Sequence, residues 1–326
     1  MFSRVVRHFV EREQPVILMY HRVARVAYDP WQLAVPPDRF AGQIEALVQL
    51  RRVVPLRWLA AALAEGRVPR RVAAVTFDDG YADVLAEAKP ILERYRCPAT
   101  VFLVTGAIGQ SCAFWWDELS RIILEPPSLP AELEIEIAGR GHRWRTRSRR
   151  IGCMKGEATD NLTLTREQLH YELWRLLRPL EPKPRRELLM RLCTWASIES
   201  EEKSVHRPFT AEEVRLLAEP GFIDIGAHTV THPALPLLDE VNQRAEIEGS
   251  RTACEELIGE PIYTFAYPFG DFDNGVAACV RDCGFACACT TVPGRVSMRS
   301  DPVLLPRCAV GNWAGDDLAR RLAACP

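Results

Sequence analysis

The chain has 326 residues, of which 48% are hydrophobic and 26% charged, and its net charge is −2. This is the composition of a soluble globular protein with room for one large α/β domain or two smaller ones. The charge balance argues against a whole-chain nucleic-acid binder, and no apolar stretch approaches the ~20 residues of a membrane span.

The N-terminal MFSRVVRHFVEREQP is interrupted by Arg, His and Glu, so it lacks the apolar core of a signal peptide. Apolar, β-branched runs then follow in order: PVILMY (15–20), VAAVTF (72–77), ATVFLV (99–104), FIDIGAH (222–228), IYTFAYP (262–268), FACACT (285–290) and VLLPRCAV (303–310). Helical patterns lie between them: DRFAGQIEALVQLRR, opening on an Asp that could cap it, DVLAEAKPILERY, TAEEVRLLAE, a stretch over 239–259, and NGVAACVRDCG. Strands alternating with helices predict parallel β/α units. Seven strands, most too apolar to be wet on one side, predict a closed or nearly closed barrel, with a doubly wound open sheet as the alternative.

Residues 110–205 break this rhythm. AFWWDELSRIIL reads as a helix, LEIEIAGRGHRWRT as a hairpin around a Gly-containing turn, and TREQLHYELWRLLRPL and PRRELLMRLCTWA as two more helices. The segment is too long for a plain loop and is expected to be an inserted cap or lid, leaving 1–109 and 206–326 as the barrel. Trp115 and Trp116 are either a stacking platform for sugar rings or helix-start packing. RGHRWRTRSRR carries six arginines, which fit either a solvated hairpin end or a site for anionic groups. It lacks any RNA-binding module.

The eleven cysteines are scattered. CVRDCGFACAC could suggest a soft-metal or redox site, yet paired C-x-x-C knuckles are absent and Cys287 and Cys289 alternate with Ala as a strand would. Cys279, Cys283, Cys287 and Cys289 are therefore expected to be small buried hydrophobes. Eleven thiols without an export signal point to a reducing cytoplasm.

Two motifs carry chemistry. TFDDG (76–80) ends a strand with two adjacent acids, Asp78 and Asp79, whose repulsion calls for a metal, a proton or solvent. HTVTH (228–232) follows FIDIGA, and its four-residue spacing lets both imidazoles converge on one cation. The intervening residues offer no general base, so this is not a zincin helix. If both turns cap parallel strands, they share the barrel face where active sites are built. Two histidines and one Asp then complete a three-ligand site with a position open for water. One carboxylate binds the metal and the other is left to take a proton.

TFDDG, HTVTH and the YPFG turn together resemble the polysaccharide deacetylases of carbohydrate esterase family 4, the NodB homology group. The resemblance implies a distorted (β/α)7 barrel, a divalent metal and hydrolysis of N-acetyl groups on amino sugars. It implies that Asp78 is the general base, that Asp79, His228 and His232 are the metal ligands, and that the Phe269 N–H donates to the oxyanion, with Tyr267 and Pro268 against the substrate. The ligand set favours Zn²⁺ and admits Co²⁺ or Ni²⁺. Two departures stand out. Ala266 occupies the position of the Arg that orients the base, and Arg307 is either its substitute or a strand-end salt-bridge residue. No histidine follows His232, so the late general acid is missing. LMYHRV places His21 at the end of the first strand, which resembles the circularly permuted poly-N-acetylglucosamine deacetylases and makes His21 the expected acid. Should His21 instead be a structural histidine, His142, His170 and several acidic residues of the insertion are the alternatives.

The substrate expected is an N-acetylated amino sugar of a glycan or glycoconjugate. The alternatives are an amino sugar carried by a nucleotide, lipid or antibiotic, or a carbohydrate-binding protein that has lost catalysis.

Overall fold

The computed structural model describes residues 13–146, 163–199, 204, 206–219 and 221–325. All seven expected runs contain strands: β1 Val16–Tyr20, β2 Val72–Phe77, β3 Ala99–Leu103, β4 Ile223–Ala227, β5 Thr264–Ala266, β6 Cys287–Cys289 and β7 Cys308–Ala309. They lie in the order β6-β5-β4-β3-β2-β1-β7 with every pairing parallel, and a short strand, Arg52–Val53, lies alongside β2. The first strand thus sits between β2 and the last. The sheet curls until its ends meet: Leu305, just before β7, bridges Cys289 in parallel, with Thr290 N–H donating to the Leu305 carbonyl at 2.9 Å. The result is a distorted (β/α)7 barrel closed by a bridge rather than a full ladder.

The last strand is shorter than expected. VLLPRCAV reads as one run, but Pro302–Leu304 is a 3₁₀ turn and only Cys308–Ala309 pairs with β1. Pro306 offers no backbone donor, so the run cannot form one continuous ladder.

Strand alternation sorts the core into two faces. Leu18, Tyr20, Val75 and Phe77 pack against buried helical residues such as Phe40, Ile44, Leu318 and Leu322. The opposite parity, Ile17, Ala74, Phe102, Ala266, Cys287 and Cys289, forms a separate interior cluster with Leu56 and Leu59. That second parity runs on from Ala74 through Thr76 to Asp78, and from Ile17 through Met19 to His21.

The helices follow their patterns with local corrections. α1 is Pro37–Leu50; Pro36 rather than Asp38 is its cap, and Asp38 lies in the first turn. The helical pattern after TFDDG begins as a π-helical turn over Val84–Ala88 and becomes α-helical at Lys89–Arg94. Pro90 lacks the N–H that would continue an α ladder through that point. Ala211–Ala218 opens on a capping box between Thr210 and Glu213, and Glu240–Ile258 on the Asp239 side chain. Asn274–Asp282 follows its pattern, and Leu56–Ala64 and Gly315–Ala324 are further helices.

Two units emerge: Met1–Arg25, Gln32–Gln110 and Pro208–Pro326 carry the barrel, and Val26–Trp31 with Ser111–Arg207 form the second. The second unit has its own core, in which helices Trp115–Leu124, Arg166–Leu177 and Pro182–Ala196 pack with a hairpin of Glu132–Ile137 and Arg140–Thr146. The hairpin turns on Ala138 and Gly139, both at positive φ, as a two-residue turn of primed type requires.

Among the described cysteines, Cys287 and Cys289 are wholly buried, and burial pushes the Cys289 thiol up to about 12, so both act as small apolar residues. Cys308 and Cys325, however, form a disulfide, which corrects the picture of uniformly free thiols. Cys153 and residues 1–12 lie outside the described residues. Among the described residues, no helix is long and apolar enough to cross a membrane.

Candidate active site

Because every barrel strand is parallel, the residues that follow them gather on one rim. Register places Tyr20 beside Phe77, so His21 and Asp78 stand at matching heights, while Phe77 is level with Val101 and Val101 with Ile225, so His228 lies two residues further along the same rim. Backbone bonds carry the ladder one step further: Asp78 N–H donates to the Tyr20 carbonyl at 3.0 Å and His228 N–H to the Leu103 carbonyl at 2.9 Å.

Asp79, His228 and His232 converge there. Their ligand atoms all lie within 4.8 Å of one another, and all three side chains are buried. Each His Nε2 is 3.4 Å from Asp79 Oδ1. His228 Nδ1 sits 2.7 Å from the Ala266 carbonyl, so that nitrogen carries the proton and Nε2 is the one left for a cation. A buried carboxylate with two imidazoles is a donor set that suits a divalent transition metal, and the cluster fits one. It is the sole group of at least three such ligands among the described residues.

Asp78 is held differently. Arg307 Nη1 donates to Oδ1 at 2.7 Å and Nη2 to Oδ2 at 2.6 Å, a bidentate fork closed from solvent. The same guanidinium donates through Nε to the Thr290 carbonyl at 2.8 Å and through Nη1 to Thr76 Oγ1 at 3.1 Å. Burial pushes the Asp78 carboxyl up, but the charge and hydrogen bonds of Arg307 outweigh it and leave the group at about 2. Asp79 is likewise pushed up by burial and pulled below the usual carboxylate range by His228, His232 and His21. Both acids are therefore ionised at neutral pH. Arg307 is at once a salt-bridge partner and the residue that orients Asp78.

The turns are tightly specified. Asp79, Thr229, His232 and Phe269, four of the nine described non-glycine residues at positive φ, all belong to the three motifs. Such backbone costs of order 1–3 kcal/mol per residue and persists only where its surroundings impose it. Here those surroundings are visible. Val104 N–H donates to the Asp79 carbonyl and Phe209 N–H to the Gly80 carbonyl. Thr229 Oγ1 accepts from His232 N–H at 3.0 Å. Gly270 admits no side chain, since a Cβ there would lie 1.9 Å from Thr291 Oγ1.

The remaining expected site residues divide. The His21 side chain is half-buried and lies near both Asp78 and Asp79. Phe269 turns its backbone at φ 59° and sets its ring 4.4 Å from that of His232. Tyr267 is wholly buried, its hydroxyl donating to the Val303 carbonyl at 2.8 Å, and Pro268 is buried beside it, so neither presents a surface for substrate. In the second unit Trp116 is buried and stacked on Phe114 at 4.7 Å, and Arg185 covers the Trp115 ring at 4.8 Å; both rings are used in packing. His170 is buried, with Nε2 3.0 Å from Ser120 Oγ, and His142 stacks on Trp144. Arg143 and Arg145 both pair with Glu132 on the facing strand, whereas Arg147, Arg149 and Arg150 lie outside the described residues.

Sequence reasoning missed Glu246. Its Oε2 accepts from the N–H groups of Val230 and Thr231, each at 2.8 Å, and its Oε1 from Thr231 Oγ1 at 2.6 Å. One carboxylate thus clamps the loop between the two histidines. Nothing in the sequence singles out this acid among the several on helix Glu240–Ile258.

A (β/α)7 barrel with a buried Asp-His-His cluster and a second, Arg-clamped Asp on one rim defines a class of candidate metallohydrolases. Comparison with known proteins narrows it. The polysaccharide deacetylase family model matches residues 65–142 and 193–288, more than half of the chain, and the chain belongs to that family. Poly-beta-1,6-N-acetyl-D-glucosamine N-deacetylase of Staphylococcus aureus is 39% identical over 57 residues, 18% of this chain and 20% of that protein. YxkH of Bacillus subtilis is 27% identical over 106 residues, 31% of this chain and 37% of its own length. The chain therefore spans well under half the length of these curated relatives. Among solved structures, the deacetylase PplD of Streptococcus pyogenes superposes with a TM-score of 0.61 at 17% identity, covering 95% of this chain and 98% of that one. IcaB from Ammonifex degensii gives 0.58 at 18%, covering 95% and 96%. At these identities the two structures show a common fold.

Proposed function

We propose that this protein is a metal-dependent deacetylase that removes N-acetyl groups from amino sugars of a glycan. The observation that carries the reading is the division between the adjacent acids: Asp79 faces two imidazoles, and Asp78 is gripped by Arg307. A binding protein has no use for an ionised acid held ready beside a ligand cluster, so this arrangement favours catalysis over a binding-only role.

Asp79, His228 and His232 would hold the cation, most simply Zn²⁺, with Co²⁺ or Ni²⁺ compatible with the same donors. A cation bound there supplies Lewis acidity toward the acetamide carbonyl and makes water a better nucleophile at neutral pH. Asp78 accepts the proton of the attacking water, and Arg307 keeps its carboxylate ionised and aimed. The Phe269 N–H is the donor for the developing oxyanion, as the family's YPFG turn implies. His21 gives a proton to the nitrogen as the C–N bond breaks, because an amine leaves poorly unless protonated. Acetate and the free amino sugar are the products.

The test is acetate release from an N-acetylglucosamine oligomer by protein stripped with a chelator and reloaded with Zn²⁺. Activity should vanish on stripping and return on reloading, and Asp78→Asn should stay inactive when loaded. Turnover that is indifferent to chelation would end this reading.

A further inference from the structure

The turn after β2 carries a third acid, Asp83, for which the mechanism above has no role. Asp83 Oδ2 accepts from Arg22 Nε at 3.0 Å and from Arg22 Nη2 at 2.8 Å, and its Oδ1 accepts from the Val23 N–H at 3.0 Å. Arg22 is only 3% exposed, and its guanidinium lies 4.3 Å over the ring of Tyr81, itself wholly buried. On the other side of His21, the Tyr20 carbonyl accepts from Asp78 N–H. His21 is thus flanked on both sides by bonds to one short segment, residues 78–83, which also carries Asp78 and Asp79.

The imidazole itself has no comparable tether. Among the described residues, no hydrogen bond holds the His21 ring. Its place relative to the two aspartates is set through the backbone, and on its C-terminal side the Arg22 side chain and the Val23 N–H both bond to the Asp83 carboxylate. Arg22 and Val23 also pair with Ala34 and Val35, but this ties the strand to a neighbouring loop and carries no information about where Asp78 lies.

We propose that Asp83 is the positioning residue for His21, holding the general acid in register with Asp78 and Asp79 through Arg22 and the Val23 N–H. The inference rests on His21 acting as the acid in the deacetylation proposed above. Asp83 does no chemistry itself. It makes the distance between acid and base a property of one turn, so that both arrive together when the turn forms.

The experiment is a double-mutant cycle on Zn²⁺-loaded protein, using acetate release from an N-acetylglucosamine oligomer. Asp83→Asn keeps the shape but sets an amide N–H₂ against the guanidinium donors. It should lower kcat by about 10²-fold, within the range for losing a general acid, with KM and metal content little changed. His21→Ala should show a loss at least as large. In the double variant Asp83→Asn should add nothing, because a residue that acts only through His21 has no further effect once His21 is gone. Asp83→Asn should also retain hydrolysis of 4-nitrophenyl acetate, whose phenolate leaves without protonation. Losses that multiply in the double variant, or an equal fall on amide and aryl ester, would make Asp83 merely structural and overturn the proposal. If Asp83→Asn does not fold, Arg22→Lys, which breaks the fork but leaves the Val23 bond, is carried through the same cycle with the same expectations. A full amide rate in His21→Ala would instead remove the acid role on which the inference rests, a failure distinct from that of Asp83.

Discussion

Arg307 and Asp78, 229 positions apart in the chain, meet as a parallel two-pronged fork with hydrogen bonds of 2.7 and 2.6 Å and almost no exposure to water. The base of the proposed reaction is therefore built by two segments far apart in the chain. β2 supplies the acid, and the segment that closes the barrel beside β1 supplies its partner. Removing the guanidinium leaves an uncompensated buried carboxylate. Breaking such a pair costs about 3–5 kcal/mol. Arg307→Ala should lower the urea midpoint accordingly, while Arg307→Lys, which keeps the charge but cannot fork, should fall between. Equal midpoints for all three proteins would show that the pair contributes nothing net.

Roles within the acidic pair separate by metal content. Asp79→Ala, His228→Ala and His232→Ala should each lose most bound metal after dialysis, because each removes one of three ligands. Asp78→Asn should retain it while activity falls by orders of magnitude. Mass-spectrometric metal analysis of the four variants decides the matter, and a metal-free Asp78→Asn would reverse the assignment.

Glu246 makes its three bonds to the loop and none to the cation cluster, so its effect should appear in metal affinity. Outer partners of this kind typically change affinity by about 10–100-fold. Glu246→Ala should weaken Zn²⁺ binding in a competition titration by that order, and Glu246→Gln by less, since one amide oxygen can still accept. Unchanged affinity in Glu246→Ala would mean that the loop holds its shape without the clamp.

Two glycines separate strain from collision. Gly66 and Gly270 have φ of 71° and 75°, but a Cβ at Gly66 meets nothing within 4 Å, whereas at Gly270 it would overlap Thr291. Gly66→Ala should cost about 1 kcal/mol, the usual penalty for placing a side chain in left-handed backbone. Gly270→Ala should cost several times as much and disturb the turn that carries Phe269. Thermal midpoints of the two variants, measured side by side, test the comparison.

His170 provides the pH dependence. Burial holds its imidazole down to about 4, against ~6.5 in an unfolded chain. Ser120 Oγ donates to the Trp116 carbonyl, so the ring Nε2 donates to Ser120, and burial, which denies the imidazolium its hydration, is what favours the neutral form. Below pH ~6.5 the unfolded chain binds a proton that the folded one refuses. Stability should therefore fall between pH ~6.5 and about 4, by about 3 kcal/mol in total, and level off below. His170→Gln, which keeps a donor but does not titrate, should flatten that part of the profile. Parallel wild-type and variant curves would exclude His170 as the source.

Much of the fold was legible because its signals are local. Alternating apolar strands and amphipathic helices announce parallel β/α units, and all seven runs contain strands. TFDDG and HTVTH announce their chemistry because a metal cluster needs particular residue types at particular spacings.

What the tertiary structure alone decided are the partners that come from far along the chain. Arg307 could be read equally as a base-orienting residue or as an ordinary salt bridge; barrel closure makes it both. Glu246 and Asp83 look like any surface acid on a helix or turn, and only the folded backbone brings them to the loops they clamp. Conversely, Tyr267 and Trp116 look like substrate contacts by type and are spent on packing, because strand and helix register turns them inward. A side chain's chemistry is written in its own residue. Which way it faces, and what meets it there, depends on residues tens to hundreds of positions away, and only packing sets that.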